Sequence, residues 1–201
     1  MAIVGFWGFR LGGHILSRLL SEEGEDGRYL QLRRHWGESA NSKFFFFFQG
    51  QGIANLLLTA PILVFMMRDT APGLWEGLAW IWMSGSILGE KTADAQLRQW
   101  KDDPANRGKT CRRGLWAFSR HPNYFFEWCF WLGLPIAGLS YLPGDWPVFL
   151  FACLSPAVML FLLLRVTGIP YTEKQSLRSR GEDYARYQRE VSAFVPWPPK
   201  T

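Results

Sequence analysis

The sequence has 201 residues, of which 48% are hydrophobic and 16% aromatic, with 11 Trp, 16 Phe and a formal net charge of +5. That apolar content excludes a disordered chain, the lack of a Gly period excludes a collagen-like fibre, and three cysteines exclude a disulfide scaffold. Mean hydropathy is near zero because long apolar runs alternate with short charged segments, so the chain must be read by window.

Five segments approach the ~20 residues that cross a bilayer. The first covers residues 2–20, where Arg10, His14 and Arg18 recur at spacing four and share one helical face. Such a stripe should face protein or water rather than lipid; an interfacial helix is the alternative. A signal peptide is disfavoured, since there is no basic start and no small-residue cleavage site. The second segment, Phe44 to Met67, opens with five consecutive Phe and is interrupted by Gln49-Gly50-Gln51-Gly52. Gln49 and Gln51 read either as a polar patch in a substrate cavity or as interhelical hydrogen-bonding groups. The third runs from Leu74 to Gly89, the fourth from Leu115 to Leu142 and the fifth from Trp146 to Leu164.

Basic residues set the orientation of such a bundle. The connection 21–42 holds Arg28, Arg33 and Arg34, the connection 91–114 holds seven Lys or Arg, and the tail from Arg165 holds seven more. The connections 68–73 and 138–145 hold only Arg68. Five spans with the N-terminus outside and the C-terminus cytoplasmic place all three basic segments on one side. The expected fold is therefore all-α, a polytopic membrane helix bundle forming one domain over 1–201. Pro170 marks the exit from the last span. Residues 172–190 then read as a polar helix capped by Thr172, with Leu177, Tyr184, Tyr187 and Val191 as a partial apolar face. The Pro196-Trp197-Pro198-Pro199 end cannot continue it and should lie extended.

Chemistry concentrates in residues 90–127 and 164–197, the expected cytoplasmic half. Asp94 and Arg98 are four apart and can pair on one helical face. Asn106-Arg107-Gly108-Lys109 is a flexible basic loop of the kind that wraps phosphates. Asn123 and Glu127 share a face of the fourth apolar segment, with Tyr124 between them. A carboxylate at that depth is costly unless paired, and Arg165 is the natural partner. Glu173, Arg178, Arg180, Tyr184 and Tyr187 follow in the tail. Many cations, several aromatic faces and a few acids suit a polyanionic, ring-bearing cofactor or acidic lipid headgroups. Cations that flank spans and form no soluble domain argue against nucleic acid. Cys129 and Cys153 read as small buried hydrophobes. Cys111 and the scattered His14, His35 and His121 have no metal-ligand spacing.

The run Gly114-Leu-Trp-Ala-Phe-Ser-Arg-His-Pro-Asn-Tyr-Phe-Phe-Glu127, with Asp94-Ala-Gln-Leu and Asn106-Arg-Gly-Lys109 before it, resembles the steroid 5-alpha-reductase-like membrane proteins, in particular their bacterial branch of unknown function. Leu164-Arg-Val-Thr-Gly-Ile-Pro-Tyr-Thr-Glu173, Arg178-Ser-Arg-Gly-Glu-Asp-Tyr-Ala-Arg-Tyr187 and Phe194-Val-Pro-Trp197 resemble the same branch. The resemblance implies NADPH in a cytoplasm-facing cavity and reduction of a carbon–carbon double bond conjugated to a ketone in a lipophilic, steroid-like or isoprenoid substrate. It places Asp94, Arg98, Asn123, Glu127, Arg165, Tyr184 and Tyr187 at cofactor positions. Lys109, Arg113, Ser119, Arg120, His121, Tyr124, Tyr171, Glu173, Arg178 and Arg180 are expected beside them. It further implies two helices, one bearing a catalytic Glu, ahead of the segment that matches residues 2–20. They have no counterpart in this sequence, and Trp7 is the nearest match to a substrate-contacting Tyr. No catalytic acid is assigned. The implied location is a bacterial inner membrane.

The same clan holds isoprenylcysteine and phospholipid methyltransferases, which bind S-adenosylmethionine and share the Arg120-His121-Pro122-x-Tyr124 core. They usually carry Gly where this chain has Phe126; the Asn123 to Glu127 form is reductase-like. A reductase is the first expectation, a methyltransferase the second, and a non-catalytic membrane scaffold the third.

Overall fold

The computed structural model describes residues 27–67, 71–142, 144–166 and 168–200, with isolated positions before residue 27. The expected first span, with Trp7, Arg10, His14 and Arg18, lies outside the described residues. All regular structure among the described residues is helical, apart from one isolated parallel bridge between Ser119 and Ser192. Cα packing divides the chain into two compact units, Met1–Met66 and Met67–Thr201.

In the first unit, α1 (Gly27–Trp36) ends where Gly37 takes a φ of +55°. A 3-10 turn, Gly37–Ser39, leads into α2 (Ala40–Met66). The 27 residues of α2 run unbroken through Gly50, Gly52 and Pro61, giving a rod of about 40 Å, longer than the ~30 Å hydrocarbon core. Its start is fixed by aromatic contacts: Trp36 and Phe44 meet edge to face at 4.9 Å, and Arg33 sits 5.0 Å above the Phe44 ring. Phe45, Phe46, Ile53, Leu56 and Leu63 are exposed. Gln49 and Gln51 are exposed on the same helix.

The second unit is built on α3 (Leu74–Asp102) and α4 (Pro122–Gly138). Glu76 anchors one end of the pair. Its Oε2 accepts from the Gly73 N–H at 2.9 Å, capping α3, and its Oε1 accepts from Ser140 Oγ at 2.9 Å, just beyond α4. Close approach depends on Gly133, where a Cβ would fall 2.3 Å from Met83 Cγ. The Trp82 indole donates to the Cys129 carbonyl at 2.6 Å and locks the register of the two helices. After a 3-10 turn, Leu139–Tyr141, the chain returns through α5 (Trp146–Ala152), α6 (Leu154–Phe161) and a π-helical turn, Leu162–Val166. The fifth apolar segment is thus a helix broken at Cys153. The Trp128 indole donates to the Pro156 carbonyl at 3.1 Å and ties α4 to α6.

The last helix, α7 (Ile169–Glu190), starts earlier than the sequence predicts. Its N-cap is Gly168, and Thr172 lies one turn inside, its hydroxyl donating back to the Gly168 carbonyl at 3.0 Å. Pro170 occupies the first turn, where its missing N–H is harmless. Gly181 adopts φ +51°, ψ −125°, so α7 is two helical arms joined at a bend. Tyr184, Tyr187 and Val191 bury together on the second arm, whereas Leu177 is exposed. The Pro-rich end is extended along the protein: the Trp197 N–H donates to the Phe118 carbonyl at 2.9 Å and the Lys200 N–H to the Glu190 carbonyl at 2.8 Å.

Two helical stretches among the described residues, Leu32–Met66 and Trp146–Glu190, are long and apolar enough to cross a membrane. They contain the second and fifth expected spans. The third and fourth coincide with parts of α3 and α4. Glu76, Glu90 and Lys91 interrupt the apolar stretch of α3, and the 17 residues of α4 cover only about 25 Å.

Candidate functional site

The segment between α3 and α4 is folded back onto the end of α3. The Trp116 indole donates to the Ala93 carbonyl at 2.9 Å, and the Leu115 N–H donates to Gln96 Oε1 at 2.9 Å. Asp103 caps the short turn Pro104–Asn106 by accepting from the Ala105 N–H. These bonds bring Thr110 to His121 against both arms of α7 and enclose a cavity of about 230 Å³.

Seven of the residues singled out from the sequence line this cavity: Arg120, His121, Asn123, Tyr124, Arg180, Tyr184 and Tyr187. Three more support it from behind. Asp94 Oδ1 accepts from the Asn123 amide at 3.2 Å. Ser119, wholly buried, donates from Oγ to the Phe194 carbonyl at 2.7 Å and accepts from the His121 N–H at 3.1 Å. Glu173 receives Arg120 Nε at 2.5 Å on Oε1 and the Gln188 amide at 2.9 Å on Oε2.

The structure places the other candidates elsewhere. Arg98 is exposed and makes no ion pair among the described residues, and Asp94 is met by the Asn123 amide from α4. Arg165 does not pair with Glu127. It is exposed in the π-helical turn, without an ion pair among the described residues, whereas Glu127 is half-buried on α4 outside the cavity wall. Lys109, Arg113, Tyr171 and Arg178 are exposed and do not line the cavity. Lys101, Thr110, Cys111, Trp116, Thr172 and Ser176 line it without having been singled out as site residues. For Lys101 and Thr110 the missing signal is tertiary: only the back-folded loop brings them together.

The charge pattern is one-sided. Lys101, Arg120 and Arg180 line the cavity, and among the described residues no Asp or Glu does. Arg120 is largely committed: besides Glu173, its Nη1 donates to the Gln188 carbonyl at 2.9 Å and the Val191 carbonyl at 2.6 Å. His121 is 3% exposed, its Nε2 stands 3.4 Å from Glu173 Oε1, and its ring stacks on Tyr124 at 5.4 Å. Burial alone would raise the Glu173 carboxyl, but the contacts from His121 and Arg120 outweigh it and hold the group at about 2. Burial, then the Glu173 charge, pushes the Tyr184 phenol up to about 12. Burial raises Tyr187 as well, and its hydroxyl is committed to the Trp116 carbonyl at 2.5 Å. Burial likewise raises the Cys111 thiol. No group of three or more His, Cys, Asp or Glu able to hold a metal occurs among the described residues. The cavity wall thus combines cationic side chains with aromatic rings.

A family model for a protein of unknown function, DUF1295, matches residues 1–191. The chain belongs to the DUF1295 family. This is a steroid 5-alpha-reductase-like family of unknown function. No curated protein and no solved structure matches the chain. The cavity of this DUF1295 protein lies wholly within the stretch the family model covers.

Proposed function

We propose that this DUF1295 protein is a membrane-embedded, NADPH-dependent reductase of a carbon–carbon double bond conjugated to a ketone in a lipophilic substrate. The observation that carries the reading is the cavity with three cationic side chains, several aromatic rings and, among the described residues, no carboxylate in its wall. The residues fit a phosphorylated dinucleotide: guanidinium and ammonium groups for phosphates, and aromatic side chains, with Tyr124 only half-buried, for the base or the nicotinamide. Bound there, the reduced nicotinamide supplies a hydride. The chain's own residues hold and orient it. Arg120 is immobilised by Glu173 and by two carbonyls, and Tyr124 is fixed by His121 stacking and by its 3.3 Å contact with Thr172 Oγ1. Preorganised groups of this kind lower the cost of ordering a ligand.

The alternative, an S-adenosylmethionine-dependent methyltransferase, needs a site for a sulfonium and an ammonium. Among the described residues of the wall Lys101 and Arg180 are cations not neutralised by Glu173 and no carboxylate faces the cavity, which favours the dinucleotide. Around the site, the reading has five spans in an inner membrane, with residues 90–127 and 164–197 on the cytoplasmic side. A ligand that binds only the folded state raises the melting temperature, so parallel thermal-shift titrations in detergent with NADPH and S-adenosylmethionine test the choice. Stabilisation by NADPH alone is expected; stabilisation by S-adenosylmethionine alone would replace the reductase with the methyltransferase.

A further inference from the structure

Three polar groups in the cavity wall are left over by the packing around them. Lys101 lines the cavity from the end of α3, with no ion-pair or hydrogen-bond partner among the described residues. Thr110 is 4% exposed, and its Oγ1 is buried with no hydrogen-bond partner among the described residues. Arg180 comes from the first arm of α7. One of its nitrogens donates to Ser176 Oγ at 2.7 Å, and its guanidinium lies 5.1 Å from the Tyr184 ring, which leaves further N–H donors unused.

We propose that Lys101, the Thr110 hydroxyl and Arg180 form a phosphate subsite, the place where a phosphate ester of the ligand is held. The assignment rests on the dinucleotide reading and adds to it which residues take the phosphate. A buried hydroxyl without a partner is unfavourable in the free protein and becomes a donor once an oxyanion enters. Two cations beside it supply the counter-charge. Asp183 is not among the described residues of the wall; it accepts the Thr110 N–H at 2.7 Å, faces Arg112 at 3.8 Å and also interacts with the Arg180 charge. The Thr110 hydroxyl and N–H lower the Asp183 carboxyl against burial, so the hydroxyl lies close to that carboxylate although it stands outside hydrogen-bond geometry with it. Arg120, the third cation of the wall, is neutralised by Glu173 and is not counted in the subsite. The subsite also separates the two enzyme classes, because S-adenosylmethionine carries no phosphate.

The test uses the full chain in detergent, as wild type, Lys101→Ala, Thr110→Val and, as a charge-matched control, Arg186→Ala. The probes are NADPH, 2′,5′-ADP, S-adenosylmethionine and phosphatidylglycerol added to the micelles. Wild type and Arg186→Ala are expected to bind NADPH and 2′,5′-ADP alike, and Lys101→Ala and Thr110→Val to bind each about tenfold more weakly. Thr110→Val has a second signature. Removing a buried, unpaired hydroxyl should leave the melting temperature of the free protein unchanged or higher, whereas loss of a structural hydrogen bond would lower it. NADPH binding that neither variant weakens overturns the subsite and leaves the reductase reading standing. Stabilisation by phosphatidylglycerol alone, lost in Lys101→Ala, keeps the subsite and removes the nucleotide. Binding of S-adenosylmethionine alone, or of no probe, overturns both.

Discussion

Arg120 ties together parts of the chain that are far apart in sequence: Glu173 on the first arm of α7, and Gln188 and Val191 at the end of the second. The side chains of Arg120 and Glu173 are 11% and 16% exposed, so solvent screens the pair only partly. The folded Glu173 carboxyl is lowered from 4.5 to about 2. Its contribution is therefore complete above pH 4.5 and is lost as pH falls from there toward 2. Glu173→Gln should destabilise the protein at pH 7 by about 2–3 kcal/mol, seen as a lower melting temperature by Trp fluorescence, and the gap to wild type should narrow by pH 3. An unchanged melting temperature at pH 7 would mean that the pair is not structural. The sequence marks Arg120 and Glu173 individually, through the motifs around them, but not the bond between them, because 53 positions separate them. The same limit explains Asp94. Spacing four offered Arg98, and a neighbouring helix supplied Asn123. Lys101 was hidden by the same limit, and a lysine at a helix end also reads as a topology signal.

Among the elements, hydrophobic periodicity and length located α2, α3 and α4 well, and the sequence placed the polar tail helix to within a turn. The bend inside α7 was not legible. Gly181 lies among good helix formers, and only the backbone, at φ +51°, shows that the chain reverses its course there. That bend is what allows Glu173 on the first arm and Gln188 on the second to meet at 2.9 Å. Gly181→Ala should therefore cost about 1–3 kcal/mol through the backbone conformation alone. Nothing lies within 4 Å of the added Cβ, so no steric term contributes. The melting temperature of the variant measures this; a stabilised variant would show that the helix prefers to run straight. The break at Cys153 was equally hidden in an unbroken apolar run, whose hydropathy carries no information about local helix geometry.

For the molecule as a whole, the all-helical architecture follows from the sequence, and the structure agrees among the described residues. Length and composition support two crossings directly; the five-span topology rests on the basic residues of the connections. It predicts that reporters fused within 91–114 and after residue 190 read cytoplasmic and that one within 138–145 reads external. A cytoplasmic reading at 138–145 would reject it. Under the proposed topology the cavity between α3, α4 and α7 would open to the side where reduced nicotinamide dinucleotides are abundant. The most direct test of the account is a fluorescence titration of NADPH with the purified full-length chain in lipid nanodiscs, with S-adenosylmethionine as competitor. Saturable binding that S-adenosylmethionine does not displace is the predicted result. Absence of saturable NADPH binding to the folded protein would contradict the central claim.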